Sequence, residues 1–474
     1  MAHTLDTKAA LASSERIWAQ EIVPALSEYI RIPNKSQGFD PGWKAAGHMQ
    51  RAVEHVAGWC KKQAIEGLKV EVIDLPPASP LIYMEIPGQG ADTVLMYGHL
   101  DKQPEFLPWE DGLNPWEPTL RGDRLYGRGG ADDGYASFAS LSAIRLLRDQ
   151  GLPHARIVIL IESQEESGSP DLEKYVTHLK ARIGTPSLAV CLDSGCGNYD
   201  QLWMTTSLRG LIAGNLRVQV LKEGVHSGDA SGVVASSFRI LRTLLSRLED
   251  EKTGKVLLSD LHVQIPEARI AQARAAAEVL GKDPFDKCPW VDGMKPMTEN
   301  LGELVLNRTW RPALSITGAE GLPSLQDAGS VLRPHTSVKV SMRIPPRLPA
   351  GNALKALKET LEKDPPYGAK VTFDGEKAAG GWDAPALAPW LEKSVDAASR
   401  NFFGRPAMAM GEGGTIPFMG MLGEKFPEAQ FLITGVLGPQ SNAHGPNEFL
   451  HLPTGRKLTA AVAQVISDHF SRAR

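Results

Sequence analysis

A chain of 474 residues, 42% hydrophobic and 22% charged, has material for a large core and is too long for a single ordinary one, so two domains are expected. The formal net charge of −4, with no basic block or interleaved aromatic stripe, argues against nucleic-acid binding, and no apolar run approaches the ~20 residues of a membrane span. Residues 1–16 lack the apolar core of a signal peptide, and Cys60, Cys191, Cys196 and Cys288 lack zinc-ribbon spacing, so a reducing, cytoplasmic setting is expected.

In chain order, residues 13–31 read as a helix with Ser14 as candidate N-cap and Pro24 as candidate kink, ended by Ile32-Pro33. Residues 41–66 give a second amphipathic helix. Apolar runs at 70–75, 81–86 and 93–97 read as strands between Pro and Gly punctuation. A polar connection, 102–130, delivers Asp132-Asp133-Gly134 to the head of a helix at 135–150. A strand at 155–161, a helix near 170–182 and a strand at 187–192 continue the alternation of an α/β layered domain.

After Thr206 the pattern changes. Residues 211–221 alternate like a half-exposed strand, 233–248 form an amphipathic helix, and a largely polar insertion runs from about 249 to 309. Strands at 314–318 and 337–344, a helix at 352–363 and a strand at 369–373 follow. The glycine-rich Ala378-Ala379-Gly380-Gly381 then returns the chain to a helix at 387–403, a strand at 430–436 and a closing helix at 454–470. The expected fold is α/β: a first domain (1–206 and 382–474) interrupted by a separate α+β domain (207–381).

Chemistry-bearing residues gather at the predicted strand ends. His99 and Asp101, in Gly98-His99-Leu100-Asp101, follow the strand at 93–97. If the extended geometry persists they point to one side, an imidazole ligand with a carboxylate to orient or tune it. Glu165-Glu166-Ser167-Gly168 follows the strand at 155–161, Asp193 the strand at 187–192, and His444, in Asn442-Ala443-His444-Gly445-Pro446-Asn447-Glu448, the strand at 430–436. Asp132 lies in a glycine-rich loop at a helix start. Sites in open α/β sheets form outside the carboxyl ends of the strands, so one shared site is expected.

Singly, each motif has a bland reading as a solvated loop or a capped surface histidine; together and in order they favour a site. Histidines with carboxylates suit Zn²⁺, Mn²⁺ or Co²⁺, and five such ligands serve two ions if one carboxylate bridges. Two ions sharing a water lower its pKa toward neutral. Of the adjacent Glu165 and Glu166, one binds metal while the other takes the proton from that water.

These segments, with Gly127-Arg128-Gly129, His226-Ser227-Gly228, Arg343 and Gly413-Gly414-Thr415-Ile416-Pro417, span most of the chain. In them the chain resembles the co-catalytic metallopeptidase family of carnosinase, cysteinylglycine dipeptidase, aminoacylase, glutamate carboxypeptidase and succinyl-diaminopimelate desuccinylase. Its length and the 249–309 insertion look closer to the dipeptidase branch. The resemblance implies a phosphorylase/hydrolase-like catalytic domain with a central mixed sheet, and an inserted lid and dimerisation domain. It implies that His99 and Asp193 hold one ion, Glu166 and His444 the other, and that Asp132 bridges, with Zn²⁺ favoured over Mn²⁺ or Co²⁺.

By the same resemblance Glu165 is the general base, later passing its proton to the leaving amine, and Asp101 stands behind His99. His226 reaches the partner subunit's site in a homodimer and stabilises the oxyanion, a role that needs a donor aimed at developing charge. Arg343 and the backbone at Gly413, Gly414 and Thr415 bind the substrate's terminal carboxylate, which suits a guanidinium fork, with Ser330 adding a polar contact. Two departures concern the substrate: Gly134-Tyr135 follows the aspartate pair where many relatives have lysine, and 380–385 carries no histidine but Trp382, which favours a bulkier or more apolar group.

The expected function is metal-dependent hydrolysis of an amide bond next to a free carboxylate, in a dipeptide. The alternatives are an N-acyl-amino-acid amidohydrolase or a carboxypeptidase acting on a modified amino acid and, from another class, a catalytically inactive binding or scaffold protein, which would be expected to lose the base or a ligand. There is no GxGxxG at a strand-to-helix turn for a dehydrogenase and no GxSxG for a serine hydrolase.

Overall fold

The computed structural model describes residues 4–283 and 288–472. Its axis is the strand Thr93–His99, in which every residue is buried. A strand with neighbours on both edges and helices on both faces must be apolar on both sides, which is why this stretch reads as a continuous apolar run. The sheet around it has the order Lys69–Ile73, Leu81–Ile86, Arg156–Glu162, Thr93–His99, Leu188–Cys191, Gln430–Ile433. The last four strands are parallel, and the first two add antiparallel pairs at one edge. Register sets His99 beside Glu162, Tyr97 beside Cys191 and Cys191 beside Ile433, so four carboxyl ends share one rim.

On one face of the sheet the helices Tyr135–Asp149, Pro389–Phe403 and Leu452–Ser471 join the N-terminal helices over a core that includes Trp18, Tyr29 and Phe138. On the other, the helices Leu172–His178 and Pro417–Lys425 enclose Tyr83, Tyr97 and Phe418, with the Tyr97 and Phe418 rings stacked at 3.7 Å. The first helix starts at Thr7, six residues earlier than its pattern suggests. Asp6 caps it, accepting from the amides of Lys8 and Ala9 at 3.0 Å, and Ser14 is buried within it. One π-helical turn, Trp18–Ile22, leads into Val23–Ile30 at Pro24, whose missing N–H disrupts regular helical bonding. The helix expected at 41–66 is divided at Gly47 (φ +67°) into Trp43–Ala46 and His48–Lys61.

The second sheet is antiparallel, in the order Ala313–Glu320, His335–Ile344, Gly210–Gln219, Lys370–Ala379. Burial alternates along Gly210–Gln219 because only one face is covered, by the helices Ser237–Leu245 and Ala350–Glu362. The edge strand Ala313–Glu320 is largely exposed.

The 249–309 segment differs from the polar insertion expected. It contains the helices Glu267–Leu280 and Leu301–Thr309; residues 284–287 lie outside the described chain. Ala273, Ala276, Ala277 and Leu280 recur at helical spacing and pack with Val305 and Leu306 on Trp203 and Met410. Alanine makes this face apolar but small, which hides it among the surrounding charges. Trp203 and Met410 belong to a small sheet, Trp382–Asp383, Trp203–Leu208, Met408–Glu412, whose two longer strands went unforeseen in the sequence. Among the described residues no helix is long and apolar enough to cross a membrane, and the four cysteines are unpaired.

Candidate metal centre

Beyond the carboxyl rim of the main sheet, polar side chains converge on a cavity of about 670 Å³. His99, the last residue of the central strand, is fully buried. Its Nδ1 lies 3.2 Å from the Asp101 carbonyl and 3.4 Å from Asp101 Oδ1, so the ring proton belongs on Nδ1. Nε2, whose lone pair the neutral ring would offer a metal, faces Asp132 Oδ1 (3.3 Å) and Asp193 Oδ2 (3.8 Å). Asp101 also shapes the neighbouring loop. Its two carboxylate oxygens accept the amides of Glu165 and Glu166 at 3.1 and 3.0 Å, fixing the turn that carries both glutamates.

Asp132 faces both ways. Its other oxygen, Oδ2, lies 3.0 Å from His444 Nε2, which in turn is 3.2 Å from Glu166 Oε2. Two groups result, His99–Asp132–Asp193 and Asp132–Glu166–His444, each with ligand atoms within 4.8 Å of one another and with Asp132 common to both.

The electrostatics fit divalent cations. Burial pushes the Glu166 carboxyl well above its ordinary range, with Asp132 adding to the effect, and burial brings Asp193 up to about 6. Glu165 is likewise raised, by burial and then by Asp193. His99 behaves inversely: burial disfavours its charge, but Asp193, Asp101 and Asp132 outweigh that and hold it well above the usual imidazole range. So many carboxylates at one spot form an unbalanced negative field of the kind bound cations neutralise. Glu166 Oε1 is buried without a hydrogen-bond partner among the described residues, an acceptor turned away from solvent.

Two groups that the sequence left without a role hold the centre together. Arg128 and Glu448 form a buried ion pair at 2.6 Å. Glu448 Oε1 accepts the amides of Gly129, Ala131 and Asp132 (3.0, 3.2 and 3.3 Å), while Arg128 donates to the carbonyls of Pro104, His444 and Gly445. The loop bearing Asp132 is thereby tied to the loop bearing His444. Gln103 Nε2 donates to Glu166 Oε2 at 2.7 Å. Gly127-Arg128-Gly129 and Glu448 stand within recognisable motifs, but a contact across 320 residues leaves no local signal.

Elsewhere in the cavity wall stand Arg343, Gly414 and Thr415. Arg343 Nη1 donates to Thr415 Oγ1 at 3.3 Å, and burial lowers the pKa of its guanidinium. Thr415 Oγ1 donates to the Arg209 carbonyl.

Residues 95–468 match the model of peptidase family M20/M25/M40. The chain belongs to that family. Similar proteins include the cysteinylglycine-S-conjugate dipeptidase of Corynebacterium striatum, 26% identical over 83% of this chain and 85% of that one. The beta-Ala-His dipeptidase of Homo sapiens is 27% identical over 93% and 89% of the two chains. Among solved structures, the di-peptidase Dug1p of Saccharomyces cerevisiae matches with a TM-score of 0.81 at 19% identity over 99% of both chains. Human carnosine dipeptidase 1 matches with 0.76 at 23% identity over 97% and 99%. The mixed α/β fold is theirs.

This M20 chain is therefore a metal-dependent peptidase. Not all the anticipated residues meet at the centre. His226 and Ser330 lie together on the inserted sheet region, with the Ser227 amide donating to the Ser330 carbonyl at 2.9 Å, and neither lines the cavity. The His226 side chain is 67% exposed, and its Nδ1 accepts the Gly228 amide at 3.1 Å. Gly413 sits behind the wall, where a Cβ would lie 3.2 Å from Arg209 Nη2 and 3.1 Å from the Arg308 carbonyl.

Proposed function

We propose that this M20 peptidase is a dipeptidase that holds two divalent cations, Zn²⁺ in preference to Mn²⁺ or Co²⁺, and cleaves the peptide bond next to a free C-terminal carboxylate. The observation that carries this reading is that two ligand groups share Asp132 beside Glu165, in a cavity that also presents Arg343. His99 and Asp193 would hold one cation, Glu166 and His444 the other, with Asp132 between. When bound, the cations lower the pKa of water held there and polarise the carbonyl to be attacked.

Glu165, which lines the cavity beside the ligand groups, then takes a proton from the attacking water at its carboxylate and gives it to the leaving amine. Arg343, steadied by Thr415, and the backbone at Gly414 anchor the terminal carboxylate. Asp101 positions His99 and both glutamates. His226, exposed and outside the lining of its own cavity, acts in this reading from the partner in a homodimer, assembled through the inserted domain (207–381), with Ser330 beside it. The unpaired cysteines fit a reducing, cytoplasmic setting.

The test is hydrolysis after chelation and re-addition of each metal, on free dipeptides, N-acetyl and N-succinyl amino acids and C-terminally amidated dipeptides. Metal-restored cleavage of free dipeptides, absent in Glu165→Ala and for amidated substrates, is expected. Cleavage of the N-acyl substrates alone would replace this reading with an amidohydrolase. Mixing His226→Ala with Glu165→Ala protein under exchange conditions should regain activity if the sites are shared between subunits; no regain would sink the trans role.

A further inference from the structure

We infer that Glu412 binds the α-ammonium group of the substrate and so separates unblocked dipeptides from N-acylated ones. This rests on the dipeptidase reading above and adds the amino-terminal half of substrate recognition to it.

Glu412 ends the strand Met408–Glu412, is half-buried and lines the cavity. It belongs to neither ligand group. The other cavity acids have roles in the proposed chemistry: Asp132, Glu166 and Asp193 as ligands, Glu165 as base. The Glu412 carboxylate makes no hydrogen bond or ion pair with any described residue, while its backbone carbonyl is engaged by the Arg209 amide. A Cβ at Gly195 would meet Glu412 Oε1 at 2.6 Å, so the carboxylate rests over the Gly195 backbone, two residues from Asp193. Only glycine permits that approach. An anionic group thus lies against the loop that carries a metal ligand, with no hydrogen bond or ion pair to it from any described residue.

The opposite pole lies three residues away. Arg343 reaches Thr415 from the second sheet, and Arg209 stands behind the same turn with no acid partner among the described residues. Arg209 donates only to backbone carbonyls, those of Gly413, Asn307 and Arg311. Glu412 and these arginines do not pair with one another, although the turn joins them. Among the described residues, and apart from the metal ligands and base, the cavity therefore offers one carboxylate without a partner, Glu412, and cations at Arg343 and, on the Gly168 side, Lys377. A zwitterion satisfies both. An N-acyl amino acid satisfies the cations and leaves Glu412 desolvated and unpaired, which is costly for a charged group. The contact formed with an ammonium is a charge-assisted hydrogen bond, worth about 10- to 100-fold in affinity.

The experiment measures binding by calorimetry to zinc-loaded Glu165→Ala protein, which lacks the base, using alanyl-leucine and N-acetyl-alanyl-leucine as probes. Glu412→Gln and Glu412→Asp are then placed in that background, with zinc content and melting temperature measured for each. The free dipeptide is expected to bind about 10- to 100-fold more tightly than the acetylated one. Glu412→Gln should erase that preference by weakening only the free dipeptide, at unchanged zinc content, and Glu412→Asp should keep part of it. An undiminished preference in Glu412→Gln, or an equal loss for both probes, overturns the role of Glu412 alone. Binding of neither probe to the zinc-loaded parent overturns the dipeptidase reading and this role with it.

Discussion

The two halves of the centre are built differently. His99 ends a strand with neighbours on both sides, is fully buried, and has its ring orientation set by Asp101. His444 sits on a loop with φ +66°, its side chain 56% exposed, and reaches Asp132 and Glu166 only because that loop is tied down. The tie is the Arg128–Glu448 pair. Sheet geometry therefore places His99, while the buried ion pair holds the loop of His444 against that of the shared Asp132. The first half should tolerate loss of the second, while Asp132, common to both, should tolerate nothing.

That contrast can be broken outright at Asp132. Asp132→Asn should lower kcat/KM by far more than the ~100-fold typical of losing a partner outside the ligand set, and retained metal should fall in both halves. Metal analysis after gel filtration, beside a dipeptide assay, reads both effects. Retention of a full metal complement would show that the two groups do not depend on a shared carboxylate.

Glu448→Gln sharpens the comparison. Removing one partner of a buried ion pair leaves the other charge uncompensated, at a cost of about 3–5 kcal/mol. The loss should appear as a lower unfolding midpoint and as metal retention weakened most in the half formed by Glu166 and His444, whose loop and shared Asp132 both lean on Glu448. If spectroscopy with Co²⁺ shows both halves weakened alike, the loop tie is not what distinguishes them.

The buried half carries a pH-dependent effect that leaves the metal ligands in place. Glu162, beside His99 in the sheet, accepts from Tyr97 Oη at 2.5 Å and Ser169 Oγ at 2.9 Å, yet burial pushes its pKa up to about 8. In the unfolded chain a glutamate titrates near ~4.3, so between these values the folded metal-free protein binds the extra proton. The stability this lends is complete below the unfolded pKa and is lost as pH rises through about 8. Glu162→Gln should remove that decline, flattening the melting temperature of metal-free protein between about pH 5 and 9. An unchanged slope would assign the pH dependence to other groups.

Much of the site was legible because its residues follow strands. A buried parallel strand must be apolar, so His99, Asp193 and the glutamate pair stand out where each apolar run stops. His444 was legible by the same logic, though its strand ends at Ile433, earlier than the apolar run implied. What was not legible depends on partners far away in the chain. Arg128 and Glu448 look like ordinary loop charges until the fold buries them together. Ala273, Ala276 and Ala277 look unremarkable until Trp203 and Met410 supply the surface they cover.

By itself, then, the sequence determined the chemical inventory and its order: which side chains terminate which strands, and that histidines and carboxylates accumulate there. Local rules suffice for that, because periodicity and strand ends are properties of neighbouring residues. Only the tertiary structure decided that Asp132 faces both His99 and His444, that Glu448 binds the loop of one to the loop of the other, and that Glu412 lines the cavity unpaired by any described residue. These outcomes are set by desolvation and pairing, which depend on what the fold brings within a few ångströms and not on what is adjacent along the chain.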